Sequence, residues 1–266
     1  MPAKVRFVLN AEKPFKVKEL TPDRLHGLFF SLLQPEVADI FHQDYKGFKV
    51  FSLFSPQLWK DPEEEINRIL IEVSLLKDDL LPKVLSSYLL SEKKEFHLGG
   101  VKLTKSLKPL INDDDIVTYE SLMNTQPTTK RFFKFIAPTT FRRNRIDFPF
   151  PEPEILFKSL LKRWIVFSGI KPEVDLRKFY QQVEIAKYKL HTRKVELSSL
   201  GKLTTFVGVI TYHFGDIEDQ EAVRWFSILS NFANFSGVGR KTAMGLGKVK
   251  SFPEKEEKEQ KETSNG

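Results

Sequence analysis

The feature that most constrains this chain is an order of secondary structure that occurs twice. Lys4 to Asn10 puts Val5, Phe7 and Leu9 on one face, which is the two-residue period of a strand. Thr21-Pro22-Asp23 then reads as a helix start, with Thr21 as N-cap and Pro22 at the first helical position. Leu25, Leu28, Phe29 and Leu32 give that helix its apolar stripe, and a short helix from Glu36 to His42 follows. Phe48 to Phe54 and the alternating Ile69, Ile71, Val73 and Leu75 read as strands. Leu80, Leu81, Val84, Leu85 and Tyr88 fall at helical spacing. Phe96, Leu98, Val101 and Leu103 close the set as one strand interrupted at Gly99-Gly100. The order is βαββαβ, the ferredoxin-like arrangement.

After a polar, acidic stretch at 108–115, read as a linker, the order returns. Lys130 to Phe141 is a strand. A helix from Glu154 to Phe167 turns Leu156, Leu160, Leu161 and Trp164 inward. Val183 to Leu197 and Leu203 to Phe214 form a long hairpin. A helix from Asp219 to Phe232 and a last strand near Val249 finish it. The expected architecture is therefore α+β, with two tandem ferredoxin-like (RRM-like) domains at 1–112 and 118–252 and a charged, disordered tail at 253–266. The chain has 266 residues, enough for two such domains.

Charge narrows the partner. The chain holds 42 Lys plus Arg against 35 Asp plus Glu, a net +7. The segment 253–266 has three Lys and five Glu, so 3 − 5 = −2 belongs to the tail and +9 to the body. Such a surplus favours a polyanion. There is no cysteine, which excludes disulfides, thiol catalysis and Cys-based zinc sites. No apolar run approaches the ~20 residues of a membrane span and no signal peptide is present, so a cytoplasmic protein is expected. The 24 Phe are read chiefly as core.

The densest motif is Phe235-Ser-Gly-Val-Gly-Arg-Lys-Thr-Ala-Met-Gly-Leu-Gly247. Gly237, Gly239, Gly245 and Gly247 let a backbone approach a ligand closely, exposed amides there could form an anion nest, and Arg240 and Lys241 add charge for phosphate. It is not a P-loop, because Gly245 is followed by Leu246 rather than Lys. It is not a Rossmann fingerprint either, since it follows a helix and precedes a strand. A second cationic motif is Lys130 to Arg145, with six cations, no acid and interleaved Phe. Read as basic residues on a sheet edge, it offers Arg142, Arg143 and Arg145 to RNA. His191 to Lys194 reads as the cationic tip of the hairpin.

The pattern Gly-Val-Gly-x-x-x-x-x-Gly-Leu-Gly resembles the signature of the CRISPR-associated repeat-processing endoribonucleases of the RAMP superfamily. Phe135-Ile-Ala-Pro-Thr-Thr-Phe-Arg142, Pro149-Phe-Pro-Glu-Pro153 with Lys162-Arg163-Trp164, and Leu28 to Phe54 resemble further stretches of that family. The resemblance implies two ferredoxin-like domains and CRISPR repeat RNA (pre-crRNA or crRNA) as partner, with subunits of an effector complex as candidate further partners. It implies cleavage without a metal or other cofactor, by attack of the RNA's own 2′-hydroxyl, leaving a 2′,3′-cyclic phosphate and a 5′-hydroxyl. It places the catalytic histidine at His42, whose pKa range suits acid–base work. Lys49 would neutralise charge on the phosphate, with Lys46 as an alternative. Some members carry a Tyr where this chain has Phe30. His26, four residues earlier on the same helix face, is the candidate replacement, and Tyr45 a further one. The competing expectation is a non-catalytic RNA-binding RAMP subunit of an effector complex.

Overall fold

The computed structural model describes residues 1–198 and 201–254. In the first half, β1 (Ala3–Lys16) is followed by α1 (Pro22–Ser31), α2 (Pro35–His42), β2 (Phe51–Phe54), β3 (Glu65–Leu75), α3 (Leu80–Leu90), β4 (Glu95–Leu98) and β5 (Val101–Lys105). The strands form an antiparallel sheet of order β2-β3-β1-β5-β4. In the second half, α4 (Tyr119–Met123) precedes β6 (Lys130–Thr139), the small hairpin β7 (Phe141–Arg143) and β8 (Ile146–Phe148), α5 (Pro153–Ser168), α6 (Leu176–Gln181), β9 (Val183–Leu197), β10 (Gly201–Phe214), α7 (Gln220–Ser236) and β11 (Val249–Pro253). Its main sheet has the order β11-β6-β10-β9. Taken in chain order within each half, both sheets run 4-1-3-2 once the β4 addition is set aside, so the ferredoxin-like arrangement is present twice.

The local reasons match the residues. Thr21 accepts the amide of Arg24 and Pro22 opens α1, leaving Leu25, Leu28 and Phe29 buried. They pack with Val5, Phe7 and Leu9 of β1 and Ile69, Ile71 and Val73 of β3 in the first core. In the second, Trp164 of α5 sits edge-on to Tyr119, Trp225 and Phe232, at centroid distances of 5.2, 5.8 and 5.3 Å. Each fully buried Phe or Leu contributes roughly 1.5–3 kcal/mol relative to exposure, and the two cores exchange members. Ala243 packs in the first and Leu76 in the second.

Several expectations are corrected here. Phe96 to Leu103 is not one interrupted strand but the hairpin β4–β5, because Gly99 turns the chain in the left-handed region at φ 59°. The stretch at 108–115, still the connection between the halves, packs on the first of them. Arg6 and Leu110 exchange backbone hydrogen bonds, and buried Asp115 caps Asn112 and accepts both Arg6 Nη atoms. β6 is an inner strand between β11 and β10, not an edge, so Arg131, Phe133 and Phe135 point into the core while Lys130 and Lys134 face out. His191 to Lys194 lies within the β9 ladder, with His191 opposite Val207, because the strand runs on to Leu197. Of the tail expected at 253–266, Pro253 belongs to β11 and 255–266 lies outside the described residues. Among the described residues, no helix is long and apolar enough to cross a membrane.

Candidate nucleic-acid interface and its histidine pair

The two halves meet along a seam closed by the glycine-rich loop. Arg163, at the buried side of α5, donates to the carbonyls of Ser236, Gly237 and Gly239 at 2.6, 3.1 and 3.4 Å. Burial pulls its guanidinium down to about 10, still charged near neutrality. The loop then crosses to the first half. Trp59 Nε1 donates to the Gly245 carbonyl at 3.3 Å, and Lys248 ion-pairs with Glu72 of β3.

The glycines serve this docking. A Cβ on Gly247, at φ 72°, would collide with the Val238 carbonyl oxygen, and one on Gly239 with that of Thr140. Gly245 backs onto Leu25 and Leu58. The amides of Gly237, Val238, Arg240 and Gly247 donate to Ala233, Gly247, Thr140 and Pro138. They are therefore not the open anion nest expected from the sequence. Gly237, Gly245 and Gly247 are buried and shape the loop, while Gly239, Arg240 and Lys241 border the open cleft beside it.

That cleft, of about 640 Å³, is lined from the first half by His26, Phe48 and Lys49 and from the second by Arg142, Lys158, Lys162, Arg163, Arg240 and Lys241. Among the described residues, no carboxylate lines it. Arg240 is tied to Asp147, which fixes its direction. Arg142 is exposed and reaches the cleft as expected. Arg143 is engaged elsewhere, paired with Glu152 and lying over the Phe148 ring at 4.0 Å, and Arg145 is exposed in the β7–β8 turn away from the cleft lining. Lys158, Lys162 and Arg163 are additions that sequence reasoning missed. The first two had a usable signal, two cations four residues apart on the face of α5 opposite Leu156, Leu160 and Trp164. Arg163, which follows Lys162 within a buried helix, had none.

At the mouth of the cleft, Phe30 lies between two histidines. Its ring is 4.7 Å from that of His26 and 4.3 Å from that of His42, the latter stacked at 23°. α1 supplies the first two residues and the end of α2 the third. His26 Nδ1 lies 2.9 Å from the carbonyl oxygen of Ala243 in the glycine loop. A carbonyl only accepts, so Nδ1 carries the hydrogen and the neutral ring keeps its lone pair on Nε2. Burial pulls the His26 pKa below its ordinary value. The Ala243 carbonyl opposes this, and the charges of His42 and Lys49 reinforce it. The three candidates His26, His42 and Lys49 are thus brought together. Lys49 precedes β2 instead of starting it, because Lys46 and Gly47 make a left-handed turn that bridges Tyr45 to Phe48. Its Nζ donates to the carbonyls of His42 and Gln43 at 2.5 and 3.2 Å. Tyr45 turns aside, with its hydroxyl on Gln43 and its ring 5.9 Å from Phe167.

Fold and cleft together define a class: a tandem ferredoxin-like protein with a cation-lined cleft beside a pair of histidines. Residues 133–249 match the family model described as CRISPR-associated endoribonuclease Cas6. A Streptococcus thermophilus protein of the same description is 24% identical over 240 residues, covering 85% of this chain and 89% of the relative. Among solved structures, a Cas6 product complex superposes with a TM-score of 0.79 at 27% identity, covering 95% of this chain and all of that one. Thermus thermophilus Cas6 gives 0.72 at 26%, covering 95% and 98%. The chain is thus similar to Cas6 proteins over most of its length.

Proposed function

We propose that this protein is an endoribonuclease that binds repeat sequences in precursor CRISPR RNA and cuts them to guide RNAs without a metal ion, in the cytoplasm. Residues 1–112 and 118–252 act as its two domains, with the RNA held in the cleft between them. The reading is carried by one observation: His26, with its tautomer set by the glycine loop, faces His42 across Phe30 at the edge of a cleft lined by cations.

His26 Nε2 takes the proton of the 2′-hydroxyl. The 2′-oxygen attacks the adjacent phosphorus in line, and the bond to the 5′-oxygen breaks as that oxygen receives a proton from His42. A 2′,3′-cyclic phosphate and a 5′-hydroxyl result. Lys49, pinned by two carbonyls, lies where it can offset charge gathering on the phosphate. Phe30 has no hydroxyl and so serves as a spacer that holds the two imidazoles apart. The alternative, a non-catalytic RNA-binding subunit, would use the His26 contact only to dock the glycine loop, and the cleavage assay separates the two. The names of the relatives, endoribonuclease and product complex, support the same reading.

The test is cleavage of a repeat transcript in EDTA by wild type and His42→Ala. A loss of two to four orders of magnitude in single-turnover rate is expected, with RNA affinity kept and no cutting of a strand that is 2′-deoxy at the scissile position. Full activity in His42→Ala would remove the assignment.

A further inference from the structure

The cationic face of α5 borders two spaces. Lys158 and Lys162 line the cleft, and they also line a separate hollow of about 580 Å³ between α5 and α6. Its other walls include the apolar side chains of Leu161, Ile165 and Leu176 and the ring of Tyr180, with Arg177 beside them. The volume falls within the range of small-ligand pockets and exceeds what one base and its sugar need. Tyr180 is half-buried and braced edge-on by Phe179 at 5.4 Å, so its ring is held in place before anything binds. The hollow has three cations and one acid, a net 3 − 1 = +2, and the acid, Glu154, is already held by Lys158 at 3.3 Å. Lys162 and Arg177 have no carboxylate partner among the described residues.

We propose that this hollow is a nucleotide subsite, which takes one unpaired nucleotide of the RNA that continues past the cleft. The inference rests on the cleft being the RNA site. The base enters against Tyr180 and the aliphatic walls, and the phosphate sits between Lys162 and Arg177. Two features select this occupant. The hollow adjoins the cleft across the shared pair Lys158 and Lys162, one helical turn apart, so a strand leaving the cleft along α5 passes over it. An apolar slot with a ring on one side and a cationic rim is also what a splayed-out base with its phosphate requires, whereas a paired helix presents no free base. The subsite therefore reads a single-stranded nucleotide flanking the one that is cut, and it serves affinity and register instead of chemistry.

The test uses the full chain and a fluorescent transcript of the repeat encoded beside the gene. Arg177→Glu, Tyr180→Ala and Tyr180→Phe are compared with wild type by anisotropy, by single-turnover cleavage at saturating protein, and by photo-crosslinking of 4-thiouridine transcripts. Expected are about tenfold weaker binding for Arg177→Glu and Tyr180→Ala, wild-type binding for Tyr180→Phe, and cleavage rates within about twofold throughout. Crosslinks should map to residues 176–181. Arg177 is exposed, so its variant reports even where Tyr180→Ala destabilises the fold. Binding within about twofold of wild type in both variants, with no crosslink in α6, overturns the subsite while wild-type binding and cutting leave the function standing. Weakening by Arg177→Glu with a folded, unaffected Tyr180→Ala also overturns it, since that is general electrostatics. A wild type that neither binds nor cuts the repeat removes the functional reading itself and the subsite with it.

Discussion

Replacing His26 by Asn separates its two roles. The Asn amide can still donate to the Ala243 carbonyl that His26 Nδ1 meets at 2.9 Å, so the docking of the glycine loop is kept. What disappears is the Nε2 lone pair. General base catalysis of this kind is worth about 10²–10⁴ in rate, which corresponds to roughly 2.7–5.4 kcal/mol of barrier at 1.36 kcal/mol per decade. The pH profile carries a second signature. Burial holds the His26 pKa below the ordinary 6.5, helped by His42 and Lys49, so the ring loses its proton on the acid side of that value. The wild-type rate should climb with pH through a limb centred below 6.5, and His26→Asn should lose that limb. The assay is single-turnover cleavage of a labelled repeat transcript from pH 4.5 to 8.5, with melting temperature measured alongside. A variant that keeps more than about a tenth of the wild-type rate, or a wild-type acid limb centred at or above 6.5, would refute the assignment of His26 as base.

Other outcomes follow from the same geometry. Glu72→Gln removes the carboxylate that joins Lys248 to Arg6 and leaves Lys4, Arg6 and Lys248 close together at the seam. Breaking such a buried pair costs about 3–5 kcal/mol, or a fall of about 6–20 °C in melting temperature for a chain of this size; a scanning-calorimetry shift under 2 °C would contradict it. Burial pushes the Glu72 carboxyl up, but Lys248, Arg6 and Lys4 outweigh that and hold it below the usual range. Its contribution is therefore present above the unfolded carboxylate pKa and is lost as pH falls through the lower folded value. Gly247→Ala forces a Cβ into the Val238 carbonyl in a left-handed backbone and should cost at least 1–3 kcal/mol in urea unfolding; an unchanged midpoint would mean the loop tolerates a side chain. Lys162→Ala should lower the slope of log Kobs against log salt by about 0.7 for a single-stranded contact, and an unchanged slope would place the RNA elsewhere.

Much of this protein was legible in local pattern. Strand alternation in Val5, Phe7 and Leu9, the Thr21-Pro22 helix start and the apolar stripe of α5 are written within a few residues of one another, and local sterics settle them. The glycine-rich loop was legible for the same reason, since four glycines around two cations mark an unusual backbone. Where a strand sits in its sheet is not local. Lys130 to Arg145 looks like a cationic edge in one dimension, yet pairing on both sides makes β6 an inner strand and sends Arg131 into the core. Gly99-Gly100 looked like a flaw in a strand, and only the pairing of Glu95–Leu98 with Val101–Lys105 makes it a turn.

The site divides along the same line. Sequence alone determined which residue types were available for chemistry: no thiol, a few histidines, and a body rich in lysine and arginine. Tertiary structure decided which of them meet. The contact between His26 and Ala243 joins residues 217 apart, and it alone selects the tautomer. Arg163 reaches loop carbonyls 73 to 76 residues away, and Arg143 is drawn off to Glu152 while Lys158 and Lys162 take places in the cleft. Side-chain identity sets what a group can do. Partner, burial and direction come from chain segments that meet only when the two halves close on the glycine loop, and no local pattern encodes that meeting.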